Sequence, residues 1–349
     1  MKVMHVLNSR IYSGAEKVAC QIIHAFEGSD VEMVYCSPYS DIVRDMLKAQ
    51  RVTYLPIDKL TPKELSRVIK EQKPDLIHAH DMRAGFVSAL CCGRIPMISH
   101  IHNNAYDARG LSPKSVAYLL AGFRAKQILW VSGSSYEGYL FHKLFAKKSS
   151  VLYNIIDSGE IFRKLEEDGN CYDYDMIYVG RLTYQKDPQR LIRLCARLKE
   201  QKPDLKVAIV GTGELEEELK GLRGELNLQE TVHFLGFQPN PIKMIHDSKA
   251  MILTSRWEGT PMCALEAMAL GTPVVSTPSD GMKDLIDHNQ NGCLGETDEE
   301  LEEGLLRIFR EEGFRKTLSE NAVRKFQRIN DAEGYKKAIF QCYRWGRNP

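Results

Sequence analysis

The 349-residue chain lacks any apolar run near the ~20 residues needed to span a bilayer. Its longest candidates, Val116 to Phe123 and Gln127 to Val131, fall far short. Nine cysteines are present, an odd number with no C-x-x-C pair, and adjacent Cys91 and Cys92 would point different ways on a helix. That pattern excludes a disulfide scaffold and a cysteine zinc site, and the cytosol is the expected compartment. The opening MKVMHVLNS reads as a short strand rather than a signal peptide. There is no low-complexity tract and no short-period repeat. No complete G-x-G-x-x-G occurs, so dinucleotide binding is unsupported. Net charge is only +1, which argues against nucleic acid as a partner. The sum hides an asymmetry: residues 1–164 carry about +7 and residues 165–349 about −6. A basic half suits an anionic membrane face or an anionic acceptor; it is equally an ordinary solvated surface.

What is present is rhythm. The length exceeds the usual ceiling for one core, so two domains are expected. Short apolar runs alternate with helical patterns, the signature of parallel sheets wrapped by helices. Strands are predicted at Val3–Leu7, Val31–Cys36, Val52–Pro56, Asp75–His78, Met97–Ile101, Ile128–Val131 and Val151–Tyr153. Helices between them include Ala15–Phe26, Lys63–Glu71, Met82–Cys91 and Ser134–Phe145. A polar, aperiodic stretch then breaks the pattern. It restarts at Met176–Val179, Lys206–Val210, Thr231–Leu235, Ala250–Leu253 and Thr272–Ser276. The reading is α/β, two doubly wound Rossmann-like domains: 1–155, a linker at 156–173, and 174–331. A C-terminal helix in 332–349 is expected to pack back on the first domain.

The densest chemistry lies in AMILTSRWEGTPMCALEAMALGTPVVS. An apolar strand runs into a polar turn, and Pro261 opens a helix at its first position, where a missing N–H costs nothing. The amides of Met262, Cys263 and Ala264 then point out of the turn, where anions bind. Glu258 precedes this helix with Gly259 and Thr260; Glu266 sits in its second turn. Amides for phosphate and carboxylates for hydroxyls suit a sugar nucleotide.

Other loops fall at strand ends. Gly14 lies in the turn that opens the first helix and allows close backbone approach, or marks an ordinary turn. Arg181 and Lys186 end the first strand of the second domain, where two cations suit a diphosphate or form a surface charge pair. Gly211 and Gly213 precede an acidic helix (Glu214, Glu216, Glu217, Glu218) whose acids complement the helix dipole. His100 and His102 share one strand face, too few for a metal site. His78 and His80 repeat the pattern and read as packed residues. Asp173-Tyr174-Asp175 spells a D-x-D, but before a strand rather than after one, and reads as a chance match. Val116 to Lys126, apolar with basic residues at one end, suits a bilayer surface or a buried helix.

In order and spacing, VGRLTYQK, IVGTGE, VHFLGF and WEGTPMCALEAMALGTPVV resemble glycosyltransferase family 4, the retaining GT-B enzymes. SGAEKVA, SHIHNN and VLYNIIDSGEIF resemble its first-domain and interdomain elements more loosely. The match is closest to bacterial enzymes of surface-polysaccharide and lipid-linked-oligosaccharide synthesis. The resemblance implies a GT-B fold with two domains facing across a cleft. It implies a nucleoside diphosphate sugar as donor, UDP favoured, and a glycan or polyprenyl-linked saccharide acceptor. No cofactor and no metal are expected; whether the basic first half and Val116 to Lys126 bring the protein to the inner face of the plasma membrane is left open. By position, Glu266 would bind ribose, Glu258 the donor sugar, and Arg181 and Lys186 the diphosphate. The Met262 and Cys263 amides and the Gly14 loop would assist, Leu235 to Phe237 would meet the base, and His102 would line the sugar. Ser13 stands where a second glycine is common, Asp187 follows Lys186 in place of glycine, and Ile155 replaces an interdomain glycine. Two other readings stay open: a sugar-nucleotide epimerase of the same architecture, and a non-catalytic sugar-nucleotide-binding subunit.

Overall fold

The computed structural model describes residues 1–102 and 106–345. Two compact units form: Met1–Ile155 with Ala332–Pro349, and Ile156–Asp331.

The first unit is a seven-stranded parallel sheet: β1 (Lys2–Val6), β2 (Glu32–Pro38), β3 (Tyr54–Ile57), β4 (Leu76–His80), β5 (Met97–Ile101), β6 (Gln127–Trp130) and β7 (Ser149–Val151). Its order is β3-β2-β1-β4-β5-β6-β7. The order reverses between β1 and β4, the switch point where such sheets place ligand loops. Helices α1 (Gly14–Ala25), α2 (Asp41–Ala49), α3 (Pro62–Gln72), α4 (Asp81–Cys91), α5 (Pro113–Arg124) and α6 (Gly133–Glu137) connect the strands. With helices covering both faces, central strands must be buried at every position, and β4 and β5 are. Helix α1 starts on a capping box: Ser13 N–H and Oγ–H donate to Glu16 Oε2 at 2.9 and 2.8 Å.

The second unit is a six-stranded parallel sheet: β8 (Met176–Val179), β9 (Val207–Val210), β10 (Val232–Gly236), β11 (Ala250–Leu253), β12 (Val274–Ser276) and β13 (Gly292–Leu294), ordered β10-β9-β8-β11-β12-β13. Its helices are α7 (Ser158–Glu167), α8 (Pro188–Gln201), α9 (Glu216–Glu225), α10 (Ile242–Asp247), α11 (Met262–Leu270), α12 (Asp280–Leu285), α13 (Asp298–Arg310) and α14 (Glu312–Ile329). Helix α11 is apolar almost all round, and seven of its nine residues are buried, as a core helix requires. Helix α15 (Ala332–Trp345) belongs to the first unit, where Tyr335, Ile339 and Tyr343 are buried and Tyr343 packs on Phe26.

Several expectations need correction. The 156–173 stretch is not bare linker. It holds α7, capped where Asp157 Oδ1 accepts from Glu160 N–H at 3.1 Å. Only Ile161 of α7 is buried, so the segment reads as a mostly polar stretch despite its helical period. The single helix expected over Ser134–Phe145 is broken: α6 ends at Glu137, and a 3-10 turn occupies His142–Lys148. The break lets Tyr139 and Phe145 both enter the core. Edge strand β13 is not among the predicted strands, because its sequence GCL offers no β-branched or alternating run. Its Gly292 is obligatory, since a Cβ there would lie 2.6 Å from the Val274 carbonyl. Pro261 caps α11 with ψ 123° rather than occupying its first turn.

Candidate functional site

The second unit gathers its charged residues at the C-terminal ends of β8 and β11, neighbours in the sheet. Beyond β8 the chain passes through Gly180 and Arg181 into a 3-10 turn, Tyr184–Lys186. Beyond β11 it runs through Ser255 to Glu258 and into α11. The two loops are tied together. Arg256 N–H donates to the Gln185 carbonyl at 2.9 Å, and Gln185 Nε2 donates to the Trp257 carbonyl at 3.0 Å. Thr254 Oγ1 donates to the Asp187 carbonyl at 2.9 Å, and Arg256 pairs with Asp187 at 2.9 Å.

These ties place Lys186 Nζ 2.5 Å from Glu258 Oε1, and Ser255 Oγ donates to the same oxygen at 2.6 Å. The ion pair is largely withdrawn from water: Glu258 is 4% exposed. Removing one partner of such a pair strands a buried charge, which costs about 3–5 kcal/mol. Arg181 is linked to the same assembly through Gln185 Oε1, at a long 3.5 Å.

Glycines let the neighbouring loops close on this centre. Gly211 sits at φ 128°, and a Cβ on it would collide with the Gly180 carbonyl; one on Gly213 would collide with the Leu182 carbonyl. Leu182 N–H meanwhile donates to the Thr212 carbonyl at 3.0 Å. A Cβ on Gly281, at the start of α12, would strike the Gly259 carbonyl, so α12 presses on the turn that carries Gly259 and Thr260. Phe237 follows β10 and Gly236 (φ 65°) with its ring exposed. Glu266, also 4% exposed, lies in the second turn of α11.

One detail of the helix start differs from expectation. The Ala264 amide donates to the Pro261 carbonyl at 3.1 Å, so it turns inward. Met262 and Cys263 head the helix. Lys186 and Glu258, assigned separate tasks from sequence, are partners. Ser255, Gln185 and Arg256 were not anticipated; a hydroxyl, an amide and a guanidinium in loops carry no periodic signal.

The remaining candidates divide cleanly. Asp173 pairs with Lys206 at 2.7 Å, and buried Asp175 with Lys249 at 2.8 Å and Lys202 at 3.3 Å, which accounts for the D-x-D as a structural feature. In α9, Glu216 and Glu217 pair with Lys220. Gly14 and His102 belong to the first unit; Gly14 is the first residue of α1. His102 is buried, and its backbone N–H donates to Asp81 Oδ1 at 2.9 Å. Asn103 and Asn104 lie outside the described residues.

His102 is also not alone. His5, His78, His80 and His100 are buried with it in one stack. Sequence reading saw two pairs and missed His5. No local signal links it to them: β1 carries a single histidine, and only the register of β1 beside β4 sets His5 against His78.

A pair of parallel doubly wound units, the second with cations and carboxylates at its strand ends, defines the GT-B class of glycosyltransferases. Family comparison agrees. "Glycosyltransferase Family 4" matches residues 12–160, and "Glycosyl transferases group 1" matches residues 158–325. An uncharacterized glycosyltransferase of Methanocaldococcus jannaschii is 30% identical over 80% of this chain and 74% of its own length. A second one from that organism is 29% identical over 66% of this chain, spanning 65% of its own length. An Escherichia coli UDP-Gal:alpha-D-GlcNAc-diphosphoundecaprenol alpha-1,3-galactosyltransferase is 26% identical over 84% of each chain. Among solved structures, Anabaena HepE in complex with UDP-glucose superposes with a TM-score of 0.86 at 21% identity, covering 98% of both chains. The chain belongs to this family of glycosyltransferases.

Proposed function

We propose that the protein transfers a sugar from a UDP-sugar to a lipid-linked saccharide, with retention of anomeric configuration, during surface-polysaccharide assembly. The observation that carries this reading is the buried Lys186–Glu258 pair beside the start of α11. Lys186 and Arg181 take the diphosphate, aided by the Met262 and Cys263 amides, and stabilise the charge that grows as UDP departs. These cations fill the role a divalent metal would otherwise play. Both contacts to Glu258 fall on Oε1, so Oε2 is assigned to the donor sugar. Glu266 is assigned to the ribose, and Gly211, Gly213 and Phe237 to the nucleoside. His102 and the Gly14 turn keep the donor-side roles implied by the family. The acceptor hydroxyl attacks the anomeric carbon on the face UDP leaves. Its proton passes to the departing phosphate oxygen, so the C–O bond formed replaces the one broken.

UDP and a polyprenyl diphosphate acceptor are favoured because the E. coli relative's name specifies both. The test is a screen of UDP- and GDP-sugars read as nucleotide release, followed by NMR of the product linkage. Release that requires acceptor and yields a retained anomer supports the reading. Conversion of the donor alone to an epimeric sugar nucleotide, seen by NMR, would establish the epimerase instead, and an inverted linkage would overturn retention.

A second feature bears on the acceptor. Helix α5 buries Ser115, Tyr118, Ala121 and Gly122 and turns Val116, Leu120 and Phe123 to solvent, Phe123 at 66%. A Cβ on Gly122 would overlap the Phe145 ring, so the His142–Lys148 turn packs tightly on α5. That turn adds exposed Leu144, with Lys143 and Lys147 beside it. Among the described residues no helix is long and apolar enough to cross a membrane. An apolar ridge edged by lysines suits docking on an anionic bilayer. Co-sedimentation should be stronger with anionic than neutral vesicles and should weaken in Phe123→Ser. Equal binding to both vesicle types would remove this part of the proposal.

A further inference from the structure

The histidine stack of the first unit is built by register. Strand β1 lies beside β4, and β4 beside β5, with His5 opposite His78 and His80 opposite His100. Alternation puts residues 78 and 80, and 100 and 102, on the same face as His5. Half of the chain's ten histidines therefore share one buried layer. Their ring centroids lie 4.2 to 5.7 Å from their neighbours.

Burial drives every one of these imidazoles toward the neutral form; His5 and His102 fall to about 3, and the other three lie well below the ordinary imidazole value. A neutral imidazole has one N–H and one lone pair. Three contacts use part of this set. His5 Nδ1 meets His80 Nε2 at 2.9 Å, His80 Nδ1 meets His102 Nε2 at 2.8 Å, and His78 Nδ1 meets the Tyr343 hydroxyl at 2.9 Å. Five ring nitrogens have no partner among the described residues: Nε2 of His5, Nε2 of His78, both of His100, and Nδ1 of His102.

The pattern at His5 and His78 is directional. If Nδ1–H of His78 donates to Tyr343 and Nδ1–H of His5 donates to His80, each ring keeps an Nε2 lone pair. Both lone pairs are buried, neutral and unused. An imidazole that anchors one nitrogen by donation and presents the other is the arrangement of a metal-bound histidine. The candidate nitrogens of His5, His78 and His80 lie within 4.8 Å of one another.

We propose that His5, His78 and His80 of the first unit form a binding site for a borderline divalent transition-metal ion of the zinc type. His5 and His78 bind through Nε2; His80 turns its Nε2 from His5 to the ion, so His78 stays anchored by Tyr343 and His80 by His102, while the Nδ1–H of His5 is released. Uncharged nitrogen donors favour zinc, nickel or copper over magnesium or calcium, which prefer oxygen. The ion joins β1 to β4 and, through the Tyr343 hydroxyl, ties α15 to the sheet. Its role is to hold the first unit together, and no step of sugar transfer passes through it.

The experiment uses the full chain without an affinity tag, stripped with EDTA and then given zinc chloride. After desalting, bound zinc is measured by elemental analysis and Tm by calorimetry. The expected result is about one zinc per chain, with Tm rising as zinc increases. His78→Gln should fall to background zinc, while His246→Gln, on the second unit's surface, should bind as the parent does. Zinc bound equally by His78→Gln would overturn the assignment, as would a parent chain that holds none. A readout that needs no variant covers the case in which His78→Gln does not fold. Cobalt(II) added to the parent should give the visible absorption of a nitrogen-ligated ion, and its absence would also sink the proposal.

Discussion

The two units share an architecture and differ at their strand ends. In the first, the last two residues of β1, β4 and β5 include buried imidazoles that burial holds neutral. In the second, β8 and β11 finish in an ion pair held by loops whose glycines admit close backbone approach. Parallel sheets of the same topology deliver their C-terminal residues to the same place whatever those residues are. The loops then decide between a polar core layer and a charged binding surface. The first unit buries histidines without charging them; the second buries a charge pair and must keep both members.

The largest effect expected from breaking this contrast is at Glu258. Glu258→Ala should lower transfer by about 10²–10³-fold or more, the scale on which positioned electrostatic groups act. Circular dichroism and Tm should report a folded protein. Near-parental turnover would refute the role. Lys186→Ala should show a similar loss together with weaker UDP binding, measured by calorimetry.

Acid should next separate the units. In the metal-free protein the five imidazoles are held neutral by burial, whereas the unfolded chain protonates them at ordinary values near 6.5. Below that value the unfolded state binds more protons, so stability falls with pH, and for His5 and His102 the loss continues to about 3. Each such group contributes up to about 1.4 kcal/mol per pH unit. Hydrogen exchange followed from pH 7 to 5 should show the first unit loosening before the second. Simultaneous loss would mean that the histidine layer does not govern acid stability.

Smaller changes sharpen the comparison. Gly213→Val should destabilise the second unit alone by about 1–3 kcal/mol, because the new side chain meets the Leu182 carbonyl. An unchanged Tm would show that the loop yields without cost. Tyr343→Phe removes the partner of His78 Nδ1 and should cost the first unit about 1 kcal/mol. Denaturant titration measures this, and no change would mean that the hydroxyl is not needed there.

Much of the fold was legible because the strands are buried on both faces and their apolar runs have few competitors. Met97–Ile101, Met176–Val179 and Ala250–Leu253 match the observed strands residue for residue. Helix α7 buries one residue of a mostly polar segment, and edge strand β13 has the sequence GCL, so neither stands out from the loops around it. Of the site, Glu258, Glu266, Arg181 and Lys186 stood out as charges in strand-end motifs. Their supporting cast did not: Ser255 and Gln185 act through contacts whose partners lie elsewhere in the chain or in a turn.

Family membership and the parallel-sheet architecture were therefore determined by sequence alone, since both follow from local periodicity and motif order. That Lys186 meets Glu258 across 72 positions was decided only by tertiary structure. So was the gathering of His5, His78, His80, His100 and His102 into one layer. Strand order and register set which distant side chains become neighbours, and no local pattern encodes that pairing.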